Sequence, residues 1–334
     1  MKSPKDSSTD SSSAPLIEAR GLHKCYQLSR QRLFEAGPIV RAVDDVTFQV
    51  SRGSTFGLVG ESGSGKTTIA KMLLKIERPT QGSLLVDGQD IFAQDASAER
   101  AYRSTVQTVL QDPYGALSPR MRAGKIIAEP LVTKEKLSWA QAEGKAAELL
   151  ALVGLRREDL HKFPHEFSGG QRQRIAIARA LSVDPTIIVL DESVSALDVS
   201  VRAQILKLLE EVQRKLGVTY LFIGHDLAVV RYMSNDVGVM YLGQLVEVGS
   251  AMDVFSRPLH PYTRQLVAAG SAQARIGALV AGADLPSPIN PPAGCRFHTR
   301  CPHATAECTS EPPPLREMAS GHFGRCHHME KIAA

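Results

Sequence analysis

The chain has 334 residues, a formal net charge of +4 and 43% hydrophobic residues, enough to bury a sizeable core in one large domain with an extension, or in two domains. With 5% aromatics and no clustered excess of Lys and Arg, it is unlike a base-stacking nucleic-acid binder. No apolar run approaches the roughly 20 residues that span a bilayer, and the Ser-rich start lacks the apolar region of a secretory signal. Residues 1–14 are therefore expected to form a disordered tail on a cytoplasmic protein.

Beyond the tail, "LIEARGLHKCY" and "AVDDVTFQV" alternate apolar and polar residues and predict two strands of a small, mostly antiparallel β-subdomain, joined by a loop or long hairpin connection. The run "STFGLVG" reads as a buried strand. "TTIAKMLLKI" reads as a helix that opens straight after a Gly-rich turn. "GSLLVDGQDI" has the strand, Asp-Gly turn, strand pattern of a hairpin. From Pro113 to Glu166 the pattern is helical, clearest in "AQAEGKAAELLALVGL", which gives a helical subdomain over about 113–170. The helix "RQRIAIARALSV" and the strand "TIIVL" follow; the strand is unbroken and β-branched, as a central parallel strand buried on both faces should be. The helix "VRAQILKLLEEVQRKLG" and the strand "VTYLFIG" complete a βαβ unit, and no internal repeat is visible. After His260 and Pro261 periodicity fades, so one domain is expected over 15–265, a linker over 266–290 and a Cys-rich region over 291–334. The predicted class is α/β.

The strongest chemical signal is the run from Gly60 to Thr67, "GESGSGKT", a full match to G-x-x-x-x-G-K-[ST] between a strand and a helix. Gly60, Gly63 and Gly65, with Ser62 and Ser64 between them, let the chain curl so that backbone N–H groups point inward at an anion. The helix that follows adds the positive end of its dipole. Lys66 is placed to meet the β- and γ-phosphates, and the Thr67 hydroxyl, followed by Thr68, to meet Mg²⁺. Alone, the run marks a kinase, a GTPase or a motor equally well. Asp191 closes "TIIVL" and so emerges at the carboxyl end of a buried strand, where open α/β sheets bind ligands. It can hold Mg²⁺ through water, and Glu192 beside it is the natural general base.

From here the residues resemble one family. Phe167 to Gln171, "FSGGQ", resembles the L-S-G-G-Q signature of ATP-binding cassette (ABC) ATPases, with Phe at the first position as in peptide-importer members. Ser195 to Asp198 resembles the family's D-loop, Gln111 its Q-loop glutamine, His225 its switch histidine and Tyr26 its adenine-stacking aromatic. Taken singly, Gln111, His225 and Tyr26 are ordinary: a surface amide, a core histidine, a packed ring. Together the motifs run in the family's order over residues 16–265. Ser193 stands where Pro is common.

The resemblance implies a P-loop (RecA-like) core with an antiparallel β-subdomain and a helical subdomain. It also implies that Ser168, Gly169, Gly170 and Gln171 cap the γ-phosphate of ATP held by a second cassette, with Gln111 joining Thr67 and Asp191 at Mg²⁺. Partners would be a second, homologous ATPase chain, two integral membrane permease subunits and, indirectly, a solute-binding protein, at the cytoplasmic face of the inner membrane. The segment from Asp112 to Met121, with Tyr114, Leu117 and Pro119, would meet the permeases.

Four of the five cysteines, Cys295, Cys301, Cys308 and Cys326, crowd a Pro-rich tail, whereas Cys25 reads as an ordinary packed thiol. In a reducing compartment that crowding favours metal over disulfides. The spacing lacks the C-x₂-C pairs of most zinc modules, yet His298, His303, His322, His327 and His328 keep zinc open beside a [4Fe–4S] cluster, and a tail without metal is the third alternative. The phrase "PPAGCRFHTRCPHATAEC", with "HPYTRQL" upstream, resembles the C-terminal extension of oligopeptide and dipeptide importer ATPases, which implies the cluster and makes peptides the first cargo. A soluble ABC-type ATPase that remodels ribosomes or DNA is the alternative. Such members carry paired cassettes, coiled coils or zinc insertions, none of which is seen. A redox or iron sensor with the cassette as its output is a third reading.

Overall fold

The computed structural model describes residues 14–28, 37–110, 115, 117–134, 136–192, 197–270 and 286–333. The segment 1–13 of the expected tail, most of the connection between the first two strands, Gln111, Tyr114, Ser193 to Ala196 and most of the expected linker lie outside the described residues.

The alternating segments form β1 (Ile17–Gln27) and β2 (Ile39–Val50), which pair antiparallel with Ile17 opposite Val50. β4 (Gln81–Val86) joins the other edge of β1, and β5 (Gln89–Asp90) folds back on β4. Asp87 and Gly88 turn that hairpin with φ of 53° and 74°, the left-handed pair that a two-residue I′ turn requires. The small sheet has the order β2-β1-β4-β5.

The large sheet is mixed. β3 (Thr55–Val59), β6 (Val106–Val109), β7 (Ile187–Asp191), β8 (Thr219–Ile223) and β9 (Asp236–Tyr241) run parallel in the order β9-β3-β8-β7-β6. β10 (Gln244–Ser250) extends it antiparallel to β9. Alternation along β7 places Ile187 and Val189 in one apolar core and Ile188 and Leu190 in another, the two-faced burial expected of this run. One core lies between the two sheets, with Phe48 stacked on Phe56 at 4.7 Å, and takes in α1 (Lys66–Leu73). The other lies under α3 (Ala123–Lys134), α4 (Trp139–Leu152), α5 (Gly169–Leu181) and α6 (Val199–Leu216). α2 (Ala96–Thr105) and β6 were not predicted; four residues with Gln and Thr between the valines carry too little pattern to read.

After α7 (Leu227–Met233) and α8 (Ala251–Ser256), α9 (Pro261–Gly270) continues past the boundary expected at residue 265, so 266–270 is helix rather than linker. The C-terminal segment holds α10 (Ala306–Ser310), β11 (Arg316–Ala319), β12 (His322–Gly324) and α11 (Met329–Ala333). β12 pairs with β10 and β11 with β12, so the large sheet ends in strands from the tail. The tail borrows the cassette's core: Phe297, 1% exposed, packs against Tyr241, Tyr262 and His260. Among the described residues no helix is long and apolar enough to cross a membrane.

Candidate functional site

The Gly-rich run curls where β3 hands the chain to α1. Gly60 and Gly65 adopt φ of 146° and 108°. A Cβ on Gly60 would overlap the Met240 carbonyl oxygen, and one on Gly65 would overlap that of Ala42, so only glycine fits at either place. Lys66 folds back into the turn it follows. Its ammonium donates to the carbonyl oxygens of Gly60 at 2.8 Å and Glu61 at 2.9 Å and, more weakly, to Ser64 Oγ at 3.4 Å. Burial pulls its pKa below the ordinary lysine range, and the carboxylates of Glu192, Asp191 and Glu61 work against that shift.

Ser62, Gly63, Gly65, Lys66, Thr67, Thr68, Ala42 and Glu192 line one cleft, so the fold brings the acidic end of β7 to the Gly-rich turn across more than a hundred residues of chain. Ser64 is buried within the turn, while Ser62, Gly63 and Thr67 are exposed to the cleft. Burial raises the pKa of Asp191, and the neighbouring Glu192 carboxylate adds to the shift. Two adjacent carboxylates, one of them half-buried, form a site that a cation stabilises. Glu192 holds φ of 47°, with its amide donating to the Ile223 carbonyl at 2.9 Å. That left-handed backbone is uncommon for a residue with a side chain and is the kind of strain that gathers at functional sites. His225 Nδ1 lies 3.4 Å from Glu192 Oε1. Asp226, which follows, accepts from the Ala228 and Val229 amides to cap α7 and pairs with Arg202 at 2.9 Å.

The signature is built as a helix start. Ser168 is the N-cap of α5, and its Oγ accepts from the Gln171 amide at 3.3 Å while the Gln171 side chain accepts from the Ser168 amide at 3.0 Å. This reciprocal capping box uses one lone pair of the hydroxyl and leaves its proton available as a donor. Gly170 has a packing role: a Cβ there would overlap Val201 of α6. Phe167 is buried and anchors the turn. None of residues 168–171 lines the cleft that holds Lys66.

Tyr26 lies half-buried on β1, with Lys24 Nζ 5.0 Å from its ring centre and also 2.7 Å from Glu77. Gln111 lies outside the described residues, and of the D-loop only Leu197 and Asp198 are described. Of the expected permease contacts, Pro119 is exposed, Tyr114 lies outside the described residues, and Leu117 is 2% exposed because it packs into the helical core, so its side chain is not a docking surface. A cleft lined by Arg120, Arg122, Lys125, Trp139, Glu143 and Phe163 lies close by.

The four tail cysteines are free thiols. Burial pushes Cys295 up to about 11 and Cys326 up to about 12, and the charge of neighbouring thiolates adds to each: Cys301 and Cys308 act on Cys295, and all three others act on Cys326. Cys308 Sγ sits 3.6 Å from His328 Nε2 and 3.5 Å from Thr305 Oγ1. Burial thus keeps these thiols protonated, and a metal would have to displace their protons. The expected ligand set is corrected in one respect: among the described residues no three His, Cys, Asp or Glu groups stand close enough together to hold a metal ion.

Sequence reasoning missed Tyr262, whose hydroxyl accepts from the Glu61 amide at 2.9 Å. The quoted "HPYTRQL" contained it, but nothing in spacing links two residues so far apart in the chain.

Residues 43–195 match the ABC transporter family model, and residues 246–308 match the model of the oligopeptide/dipeptide transporter C-terminal region. The dipeptide transport ATP-binding protein DppF of Haemophilus influenzae is 45% identical over 95% of this chain and 97% of its own. DppF of Escherichia coli is 45% identical over 91% of each. A solved dimeric, post-hydrolysis structure of the ATP-binding cassette MJ0796 with ADP and phosphate superposes with a TM-score of 0.61 at 26% identity, covering 70% of this chain and 98% of that one.

Proposed function

Because this chain belongs to the family of ABC transporter ATP-binding proteins, we propose that it is the ATP-hydrolysing subunit of a peptide importer, working as one of two cassettes that close over ATP. The observation that carries the reading is the cleft that joins Lys66 and the Gly-rich turn to Glu192, a cleft that residues 168–171 do not line. A γ-phosphate bound at Lys66 is reached by Ser168 only from a second cassette.

The roles rest on the family resemblance, supported by the lining of the cleft. The turn from Gly60 to Thr68 binds the phosphates, and Tyr26 stacks on the adenine. Thr67, Asp191 and Gln111 would hold Mg²⁺, which supplies charge neutralisation at the β- and γ-oxygens. Glu192 takes the proton of the attacking water, and His225, in reach of Glu192, orients it and the γ-phosphate. Ser168, the Gly169 and Gly170 amides and Gln171 bring a helix start to the partner's nucleotide. Loss of the γ-phosphate removes a contact shared by both cassettes, so the pair loosens on hydrolysis.

The second cassette is a homologous chain. Each of two permease subunits docks on one cassette, beside the cleft of Arg120, Lys125 and Trp139 in this chain, at the cytoplasmic face of the inner membrane, and a solute-binding protein delivers cargo to them. Cys295, Cys301, Cys308 and Cys326 would hold a [4Fe–4S] cluster, or zinc, only if they moved closer together than they stand here. Iron with acid-labile sulfide in anaerobically purified protein supports the cluster; zinc without iron overturns it.

The decisive experiment is purification of the tagged chain from membranes, followed by reconstitution. Integral membrane proteins should co-purify, and uptake of a labelled dipeptide should require ATP and Glu192. Co-purification with ribosomes or DNA would replace this reading with that of a remodelling ATPase.

A further inference from the structure

The Gly-rich turn carries a carboxylate, Glu61, at its second position, next to the site where a polyanionic nucleotide binds. Left unpaired, that charge would repel ATP. The C-terminal segment meets it: Arg300 places Nη1 3.0 Å from Glu61 Oε2 and Nη2 3.1 Å from Oε1, a two-point fork on the carboxylate. The guanidinium is itself held in place, 5.8 Å from the Tyr241 ring centre and 5.9 Å from that of Phe297. Four residues earlier, Arg296 bonds the Asp44 carboxylate and the Leu242 carbonyl. Those residues adjoin the other wall of the turn, where Gly243 N donates to the Ser64 carbonyl at 2.9 Å and the Ala42 carbonyl abuts Gly65. One short stretch of the tail thus grips both sides of the phosphate loop, while the Tyr262 hydroxyl holds the Glu61 amide.

We propose that Arg300 is a positioning residue of the nucleotide site: it neutralises Glu61 and fixes the carboxylate away from the phosphates, so that the tail completes the cassette's ATP cradle. The inference rests on the nucleotide-binding reading above. The pair is partly exposed, at 19% and 25% of side-chain surface, so solvent moderates its effect.

The test is titration of the full-length chain with a fluorescent ATP analogue at low and high salt, together with KM and kcat for ATP in the assembled transporter. Arg300→Ala should weaken binding about five- to tenfold at low salt, with a smaller loss at high salt, and should raise KM more than it lowers kcat. Arg300→Lys, which keeps the charge but loses the fork, should fall between. Adding Glu61→Gln to Arg300→Ala should recover most of the affinity, because the repelling charge is gone. A variant that merely loosened the tail would not be rescued by a change on the loop. Unchanged affinity in Arg300→Ala, or a double variant as weak as the single one, overturns the proposal. Wild-type protein that binds no nucleotide would overturn the functional reading instead.

Discussion

At the scale of single residues, the site depends on charges that the fold sets against one another. Lys66 is buried to 7% exposure, and its ammonium bonds the backbone carbonyls of its own turn. On the proposed function, incoming phosphate oxygens would replace those carbonyls as partners, so the buried cation would not be left bare. Asp191 and Glu192 differ in surroundings although adjacent. Asp191, half-buried, suits a cation; Glu192 reaches the cleft and His225. Glu192→Gln removes the proton acceptor and keeps the shape. Turnover should fall about 10²- to 10⁴-fold with ATP affinity retained, and an ATP-dependent dimer should persist on gel filtration. Hydrolysis at the wild-type rate would remove Glu192 from the role of base.

At the scale of elements, α5 is the part that faces two ways. Its first turn carries the capping box of Ser168 and Gln171, and its body packs into the helical core. Gly170 lets α5 approach α6 at Val201, a contact with no room for a methyl group. Gly170→Ala should therefore destabilise the chain by about 1–3 kcal/mol in urea unfolding. Gly170→Ala paired with Val201→Ala should regain part of that loss, since the two sites share one contact. A single variant as stable as wild type would show that the glycine serves only the partner's nucleotide.

At the scale of the molecule, the C-terminal segment and the cassette share one sheet, one aromatic cluster and one buried carboxylate. Glu247, fully buried on β10, accepts from the Leu259 and His260 amides at 2.9 Å each and meets His322 of the tail at 2.8 Å. His260 lies within this junction, where burial pushes its pKa down to about 3 from 6.5. The folded ring stays neutral, while the unfolded chain takes up a proton below pH 6.5. The stabilisation is thus fully present above the unfolded value and is lost as pH falls toward the folded one. Unfolding free energy at pH 5 should be about 2 kcal/mol lower than at pH 8 from this group. His260→Gln should flatten that part of the profile in denaturant melts recorded across the range, and an unchanged slope would contradict it.

Local chemistry alone determined the phosphate loop, the strand ends and the helix start at Ser168. Each is written in a few consecutive residues whose glycines, caps and β-branched runs leave the backbone little choice. The spacing of those runs sufficed for the parallel core and the Asp-Gly hairpin. Only the tertiary structure decided what needs chain from afar. β6 is too short to carry a pattern. Leu117, read as surface, is core because it packs into the apolar cluster under the helices. The tail, read as a Cys-rich extension, buries Phe297 in the cassette and sets Arg300 against Glu61. Pairings such as Tyr262 with Glu61 leave no mark on local sequence, because a hydrogen bond across some two hundred residues is fixed by packing rather than by neighbours along the chain.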